Sequence, residues 1–352
     1  MKKLLVILLA VAMLSMNVFA TDFIKSEDVM IESFIKEHDV SSALVDKLKK
    51  VYDVSNNNKV TIGNFNDKMI EVKKLAETYS FTNDQIEQYI EGIISTPTII
   101  IGAPDETKLL SSTQPKSARI GDDGIGYEIK SNSGYVKQSA FLTLPDVTIS
   151  NASSSSATSA YMFYSFESGG NAIDVGLWYH YGNGGWGWRD TYLRSFVQEP
   201  GQTPSGLINV NDGDNLYMEA GIVYGTDGER YIQCRITNGS NLSMVYSDFS
   251  VWVGNGIGSS AVINRQITLC NNKTNFNTGE KIEGAEFRTA KIFTASNGAG
   301  TTVGSSNVNS AYCGRFGKYN NDYKQVKVNS YKKWNMENVD IYFDSTMQNT
   351  GE

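Results

Sequence analysis

Histidine is nearly missing from this sequence: His38 and His180 are the only two. That scarcity excludes a multi-histidine metal centre, and with His38 in a helical stretch it excludes most histidine-based nucleophilic chemistry from the rest of the chain. Proline is also scarce, 6 residues against 32 glycines, and with 19 tyrosines and many Ser, Thr and Asn this favours an all-β body. No His-Glu-x-x-His, Gly-x-Ser-x-Gly, phosphate loop or dinucleotide fingerprint occurs. No fixed-period repeat is present, which disfavours solenoids and propellers. Positive charge is in deficit, with 31 Lys and Arg against 38 Asp and Glu. The net charge of −7 argues against nucleic acid or an anionic membrane as the main partner.

Residues 1–20 read as a secretory signal: Lys2 and Lys3, the apolar run from Leu4 to Leu14, and Val18-Phe19-Ala20 before the cleavage point. Losing the two lysines takes the mature chain to −9. Thr21, not a cysteine, stands directly after the cleavage point, which argues against a lipoprotein anchor, and no later apolar run approaches the roughly 18 residues of a membrane span. The expectation is a secreted, extracellular monomer with no transmembrane anchor and a polar tail over 346–352.

Residues 21–96 have helical periodicity, with Ile31, Phe34 and Ile35, then Leu44, Val45 and Leu48, then Met69, Val72 and Ala76, then Ile86, Tyr89 and Ile93. Ser26, Ser41 and Thr82 or Asn83 supply N-caps. Residues 97–118, punctuated by Pro97, Pro104 and Pro115, read as a linker that could hold a short strand at Thr98 to Ile101. From 119 to 345 the chain turns to short alternating segments between Gly, Asn, Asp and Ser, the pattern of a β-sandwich.

Within that body, Tyr161 to Phe166 and Ile173 to Tyr181 read as paired strands, followed by an aromatic loop. Ile173, Val175, Leu177 and Tyr179 share one face; Asp174, Gly176, Trp178 and His180 share the other. Either the tryptophans fill a second packing layer, or Asp174, Trp178, His180, Trp186, Trp188, Arg189 and Tyr192 form a ligand-binding face suited to a glycan. Downstream, Leu216 to Tyr224 and Tyr231 to Thr237 form a hairpin about Gly225-Thr226-Asp227-Gly228. Gly121-Asp122-Asp123-Gly124-Ile125-Gly126, Ile173-Asp174-Val175-Gly176-Leu177, Asp212-Gly213-Asp214 and Val262-Ile263-Asn264-Arg265-Gln266-Ile267 complete the pattern. On these pieces the stretch from Arg119 to Phe343 resembles the YrpD-like group of secreted bacterial proteins and, more loosely, the concanavalin A-like lectin and glucanase jelly rolls. The resemblance implies a mainly β, jelly-roll sandwich behind a small α-helical region, and no catalytic residues.

Three functions stay open. The leading expectation is a non-catalytic module binding a polysaccharide or cell-surface glycan. The alternative is a polysaccharide-cleaving enzyme with Asp174 and Glu219 as its carboxylate pair, Glu167 and Asp190 lying nearby in sequence. Glu219 could equally pair with Arg235 across the hairpin as an exposed ion pair. A structural extracellular protein, its aromatic face packed by the helical region, is the third. No cofactor is required. Asp212 and Asp214 could hold Ca²⁺, although Asn, Asp and Gly there equally make a turn. If one disulfide forms, Cys270 and Cys313 are the expected pair, Cys234 having core parity.

Overall fold

The computed structural model describes residues 27–53, 62–96, 99–101, 123–149, 158–180, 185–192, 205–258, 260–271, 279–296, 298–316, 325–332 and 334–344. The signal sequence, most of the expected linker and the polar tail lie outside these.

Among the described residues four helices come first: α1 over 27–37, α2 (Ser42–Tyr52), α3 (Phe65–Tyr79) and α4 (Asn83–Ser95). Thr82 starts α4 with a capping box, its hydroxyl accepting from Gln85 N while the Gln85 side chain accepts from Thr82 N. Helices this short are marginal alone. They are stabilised by a shared core of Phe34, Leu48, Met69, Val72, Ile86 and Ile90.

Seventeen strands follow among the described residues. They are β1 (Ile99–Ile101), β2 (Asp123–Ser131), β3 (Lys137–Thr143), β4 (Asp146–Thr148), β5 (Ser159–Ser168) and β6 (Asn171–His180). Next come β7 (Gly185–Tyr192), β8 (Ser205–Leu207), β9 (Asn215–Tyr224), β10 (Arg230–Asn238), β11 (Val245–Trp252) and β12 (Val262–Asn271). The last are β13 (Lys281–Phe293), β14 (Thr301–Thr302), β15 (Val308–Phe316), β16 (Val326–Lys332) and β17 (Met336–Tyr342). One sheet has ten strands, ordered β1-β11-β10-β9-β3-β13-β17-β16 with β4 and β14 on β13; the other has seven, ordered β15-β2-β12-β5-β6-β7-β8. All pairings are antiparallel except β1 with β11. The fold is therefore mainly β, two sheets preceded by helices.

Alternation builds the interior. Met218, Ala220 and Ile222 of β9 and Ile232, Cys234 and Ile236 of β10 face Ile125 and Ile129 of β2, Met162 and Tyr164 of β5 and Ile267 of β12 in one apolar cluster. One ion pair interrupts it. Arg265 of β12 has core parity and is 1 % exposed; its Nη2 donates to both carboxylate oxygens of Glu337 on β17, at 3.0 and 2.8 Å, and to Trp334 O at 2.6 Å. The guanidinium also lies 5.2 Å from the Phe287 ring. Burial pushes the Glu337 carboxyl above the usual carboxylate range, with Arg265 opposing that shift.

The helical region packs on the outward face of the ten-stranded sheet. α4 comes close because residue 92 is glycine: a Cβ there would meet Ser243 O at 2.8 Å. The polar anchor is Arg235 on β10, buried beneath the helices. Its Nε and Nη2 donate to Asp248 Oδ2 at 2.9 and 2.8 Å, and its Nη1 to the Tyr89 hydroxyl at 2.8 Å and to Glu71 of α3. Glu219 does face Arg235 across the hairpin, 3.6 Å away. The expected exposed pair is thus a buried one, because helices cover that face.

Candidate active site

The seven-stranded sheet turns its other face away from the core, and register fixes which residues share it. Directly opposed positions form three rows across β2, β12, β5 and β6: Gly126, Thr268, Tyr161 and Trp178; Glu128, Gln266, Phe163 and Gly176; Lys130, Asn264, Ser165 and Asp174. Their chain neighbours Tyr127, Ile129, Met162, Tyr164, Ile267, Val175 and Leu177 all point into the core. The face is polar at its centre. Asn264, Gln266, Thr268, Ser165 and Asp174 are buried on it, while Glu128, Glu167, Tyr161, Phe163 and Trp178 are half-buried around them.

Two carboxylates on this face are held by amides. Gln266 Nε2 donates to Glu128 Oε2 at 2.6 Å, and Asn264 Nδ2 to Glu167 Oε1 at 2.7 Å. Lys130 Nζ adds a contact to Glu167 Oε2 at 2.7 Å, so Glu167 is held by a cation as well as an amide. Gln266 is 1 % exposed, yet its Oε1 has no hydrogen-bond partner among the described residues. The same is true of Asn264 Oδ1, Ser165 Oγ and Thr268 Oγ1. Buried polar atoms are almost always satisfied, so a group of four on one sheet face marks polar capacity directed at a bound molecule or its water. Gly176 keeps the middle row low: at φ +155° a Cβ there would meet Phe163 Cα and Met162 O at 2.6 Å.

The expected binding platform is not built as anticipated. Residues 185–192, expected as a loop, form strand β7, which puts Trp186 opposite Tyr179 on the core side. Trp186 is 1 % exposed, packs edge-on against Tyr179 and donates its indole N–H to Asp212 Oδ1 at 3.0 Å. A tryptophan inside the sandwich cannot stack on a sugar, and Trp178 and Asp174 lie half-buried and buried on the opposite face. The non-catalytic glycan-binding reading is overturned with that platform. His180, Trp188, Arg189 and Tyr192 lie on β6 and β7, and their side chains are outside the described residues, as is that of Asp190.

No family model and no curated protein matches this sequence. Solved structures similar to it in part include three of peptidases. Scytalido-glutamic peptidase with a transition state analog inhibitor aligns over 63 % of this chain and 98 % of its own, at 11 % identity and TM-score 0.39. The same peptidase with a peptide-based transition state analog gives 13 % identity and TM-score 0.35 over the same shares. SCP-B, a member of the eqolisin family of peptidases in complex with the tripeptide Ala-Ile-His, gives 13 % and 0.36, again over 63 % and 98 %.

The remaining expectations are placed as follows. Asp174 is on β6 of the seven-stranded sheet and Glu219 on β9 of the ten-stranded one, facing outward on opposite sides of the core, so they share no cleft. The helical region covers Glu219, not the aromatic face, so the expected packing of that face by the helices is also absent. Asp214 Oδ2 accepts from Asn211 N at 2.8 Å and Asp212 serves Trp186, which makes this stretch a turn. Among the described residues no group of three or more His, Cys, Asp or Glu could hold a metal. No disulfide joins Cys270 and Cys313. They flank β2 at Gly124 and Tyr127, three positions apart, and so face opposite sides of the sheet. Burial pushes the Cys313 thiol up to about 12. No helix among the described residues is long and apolar enough to cross a membrane.

Proposed function

We propose that this chain is an exported hydrolase that cleaves an acyl bond, an amide or ester, on the polar face of the seven-stranded sheet. The observation that carries this is the 2.6 Å hydrogen bond by which the buried Gln266 amide holds the half-buried Glu128 carboxylate. One acid beside one amide suits acyl transfer. Glu128 takes a proton from a water molecule as that water attacks the carbonyl carbon. An amide has two N–H donors and Glu128 takes one, so the other is available to the developing oxyanion. The proton on Glu128 then passes to the leaving group as the scissile bond breaks. Tyr161, Phe163 and Trp178 flank the pair and offer apolar contacts to the substrate on either side of that bond.

A second reading uses the same face. Glu167 and Asp174 are diagonal neighbours on β5 and β6, since Glu167 opposes Ala172 and Asp174 lies two residues on. Diagonal positions are about 7–8 Å apart, a spacing that glycoside cleavage by two carboxyls can use. Lys130 Nζ and Asn264 Nδ2 hold Glu167 in place as one member of such a pair, with Asp174 as the other.

The mature protein, incubated with a mixed peptide library and with soluble polysaccharides, separates the two. Acyl cleavage predicts new peptide termini that fall at least about a hundredfold in Glu128→Gln and by a similar factor in Gln266→Ala, with the Asp174→Asn variant retaining activity. New reducing ends lost in Asp174→Asn would select the glycosidic reading. Peptide cleavage undiminished in Glu128→Gln would remove the acyl reading.

A further inference from the structure

A cavity lies on the far side of the molecule, between α3 and the outward face of the ten-stranded sheet, with a volume of about 530 Å³. That is within the range of small-molecule sites, about 300–1,000 Å³. Three half-buried lysines border it, Lys74 from α3, Lys137 from β3 and Lys291 from β13, with the rings of Tyr79, Tyr217 and Phe293 between them. Cations and rings already touch: Lys291 Nζ is 5.8 Å from the Tyr79 ring and Lys137 Nζ 5.3 Å from that of Phe293.

Charge around the cavity is not balanced locally. Glu71 is taken by Arg235 and Lys68, Glu219 by Lys137 at 2.8 Å, and Glu77 by Lys73. Asp67 borders the cavity too, but it precedes Lys74 by seven residues, about two helical turns and 10 Å along α3. Lys74 and Lys291 therefore have no carboxylate within 4.0 Å among the described residues. Partial burial and then the Lys137 charge pull the Lys74 ammonium below the usual lysine range, with Glu77 and Glu27 opposing that shift without forming an ion pair with it.

The geometry points to a ligand site separate from the hydrolytic face, one that takes a small anion carrying an aromatic ring. Its carboxylate or phosphate sits by Lys74 and Lys291, and its ring lies against Tyr79 and Phe293. Mature protein titrated calorimetrically with phenyl phosphate, benzoate, inorganic phosphate and neutral benzamide tests this. Saturable binding is expected for phenyl phosphate or benzoate, and whichever binds tighter identifies the anion. Benzamide should not bind, and inorganic phosphate should bind more weakly than phenyl phosphate for want of a ring. Lys74→Gln and Lys291→Gln should each weaken binding about tenfold, the value of one charge-assisted contact, with unchanged melting temperature. The Lys327→Gln control, on β16 and outside the cavity lining, should change nothing. Absence of saturable binding for both aromatic anions overturns the proposal, and so does binding that survives both cavity variants at full strength.

Discussion

Replacing Glu337 by leucine is expected to lower folding stability by about 3–5 kcal/mol, read as a fall in denaturant midpoint at unchanged slope. The cost does not come from losing an attractive contact. It comes from stranding the Arg265 guanidinium between two sheets, with Trp334 O and the Phe287 face as its remaining neighbours and its Nη1 already without a hydrogen-bond partner among the described residues. The control is the double variant Arg265→Met with Glu337→Leu, which fills the same space with apolar atoms and should recover most of the loss. A single variant that costs under 1 kcal/mol would show that this pair is not a buried charge couple. A double variant as poor as the single would show that packing volume, not charge, is at issue.

Arg235→Met should be the next most damaging change, again about 3–5 kcal/mol, because it leaves Asp248 and Glu71 facing each other with Lys68 as their nearest remaining cation. Its effect should be seen first in the helices. Limited proteolysis should open the α1 to α4 region while the sandwich stays resistant, since Glu71 and Tyr89 are the helical ends of the anchor. The anchor also predicts an acid response. Burial works to raise the Glu71 carboxyl, but Arg235 and then Lys68 outweigh it and hold it far below the usual carboxylate range. A depressed carboxyl contributes stability that is complete above its unfolded value near 4.5 and is lost only as pH falls through the folded one. Helix docking, followed by protease protection, should therefore persist below pH 4 in the wild type. Release of the helices at pH 5 would contradict the assignment.

How far the sequence reveals this molecule depends on the distance between interacting residues. Alternation from Leu216 to Ile222 and from Ile232 to Ile236 is readable because each strand declares its own inward face, and the 3.6-residue spacing of the helices is equally local. Trp186 is not readable. It follows a turn, and whether a strand re-enters with one parity or the other depends on a register that only the Tyr179–Trp186 opposition settles. Arg265 looks misplaced at a core position, because its partner Glu337 is 72 residues away. The Glu128–Gln266 pair is harder still, 138 residues apart and joined by the pairing of β2 with β12. Its only local signal is a polar residue at each outward position between inward apolar ones, which every sandwich strand shares.

The three residues of β1 form the short strand that the sequence allowed within the linker, and they run parallel along β11, Ile99 to Ile101 beside Phe249 to Val251. β11 is otherwise the last strand on that side of the ten-stranded sheet. An uncovered border of unpaired amides and carbonyls is a template for another chain. A shortened protein beginning at residue 97 keeps that border closed, whereas one beginning at 103 leaves it open to self-association. Where a shortened chain begins within these few residues thus decides whether the sandwich remains dispersed or assembles border to border.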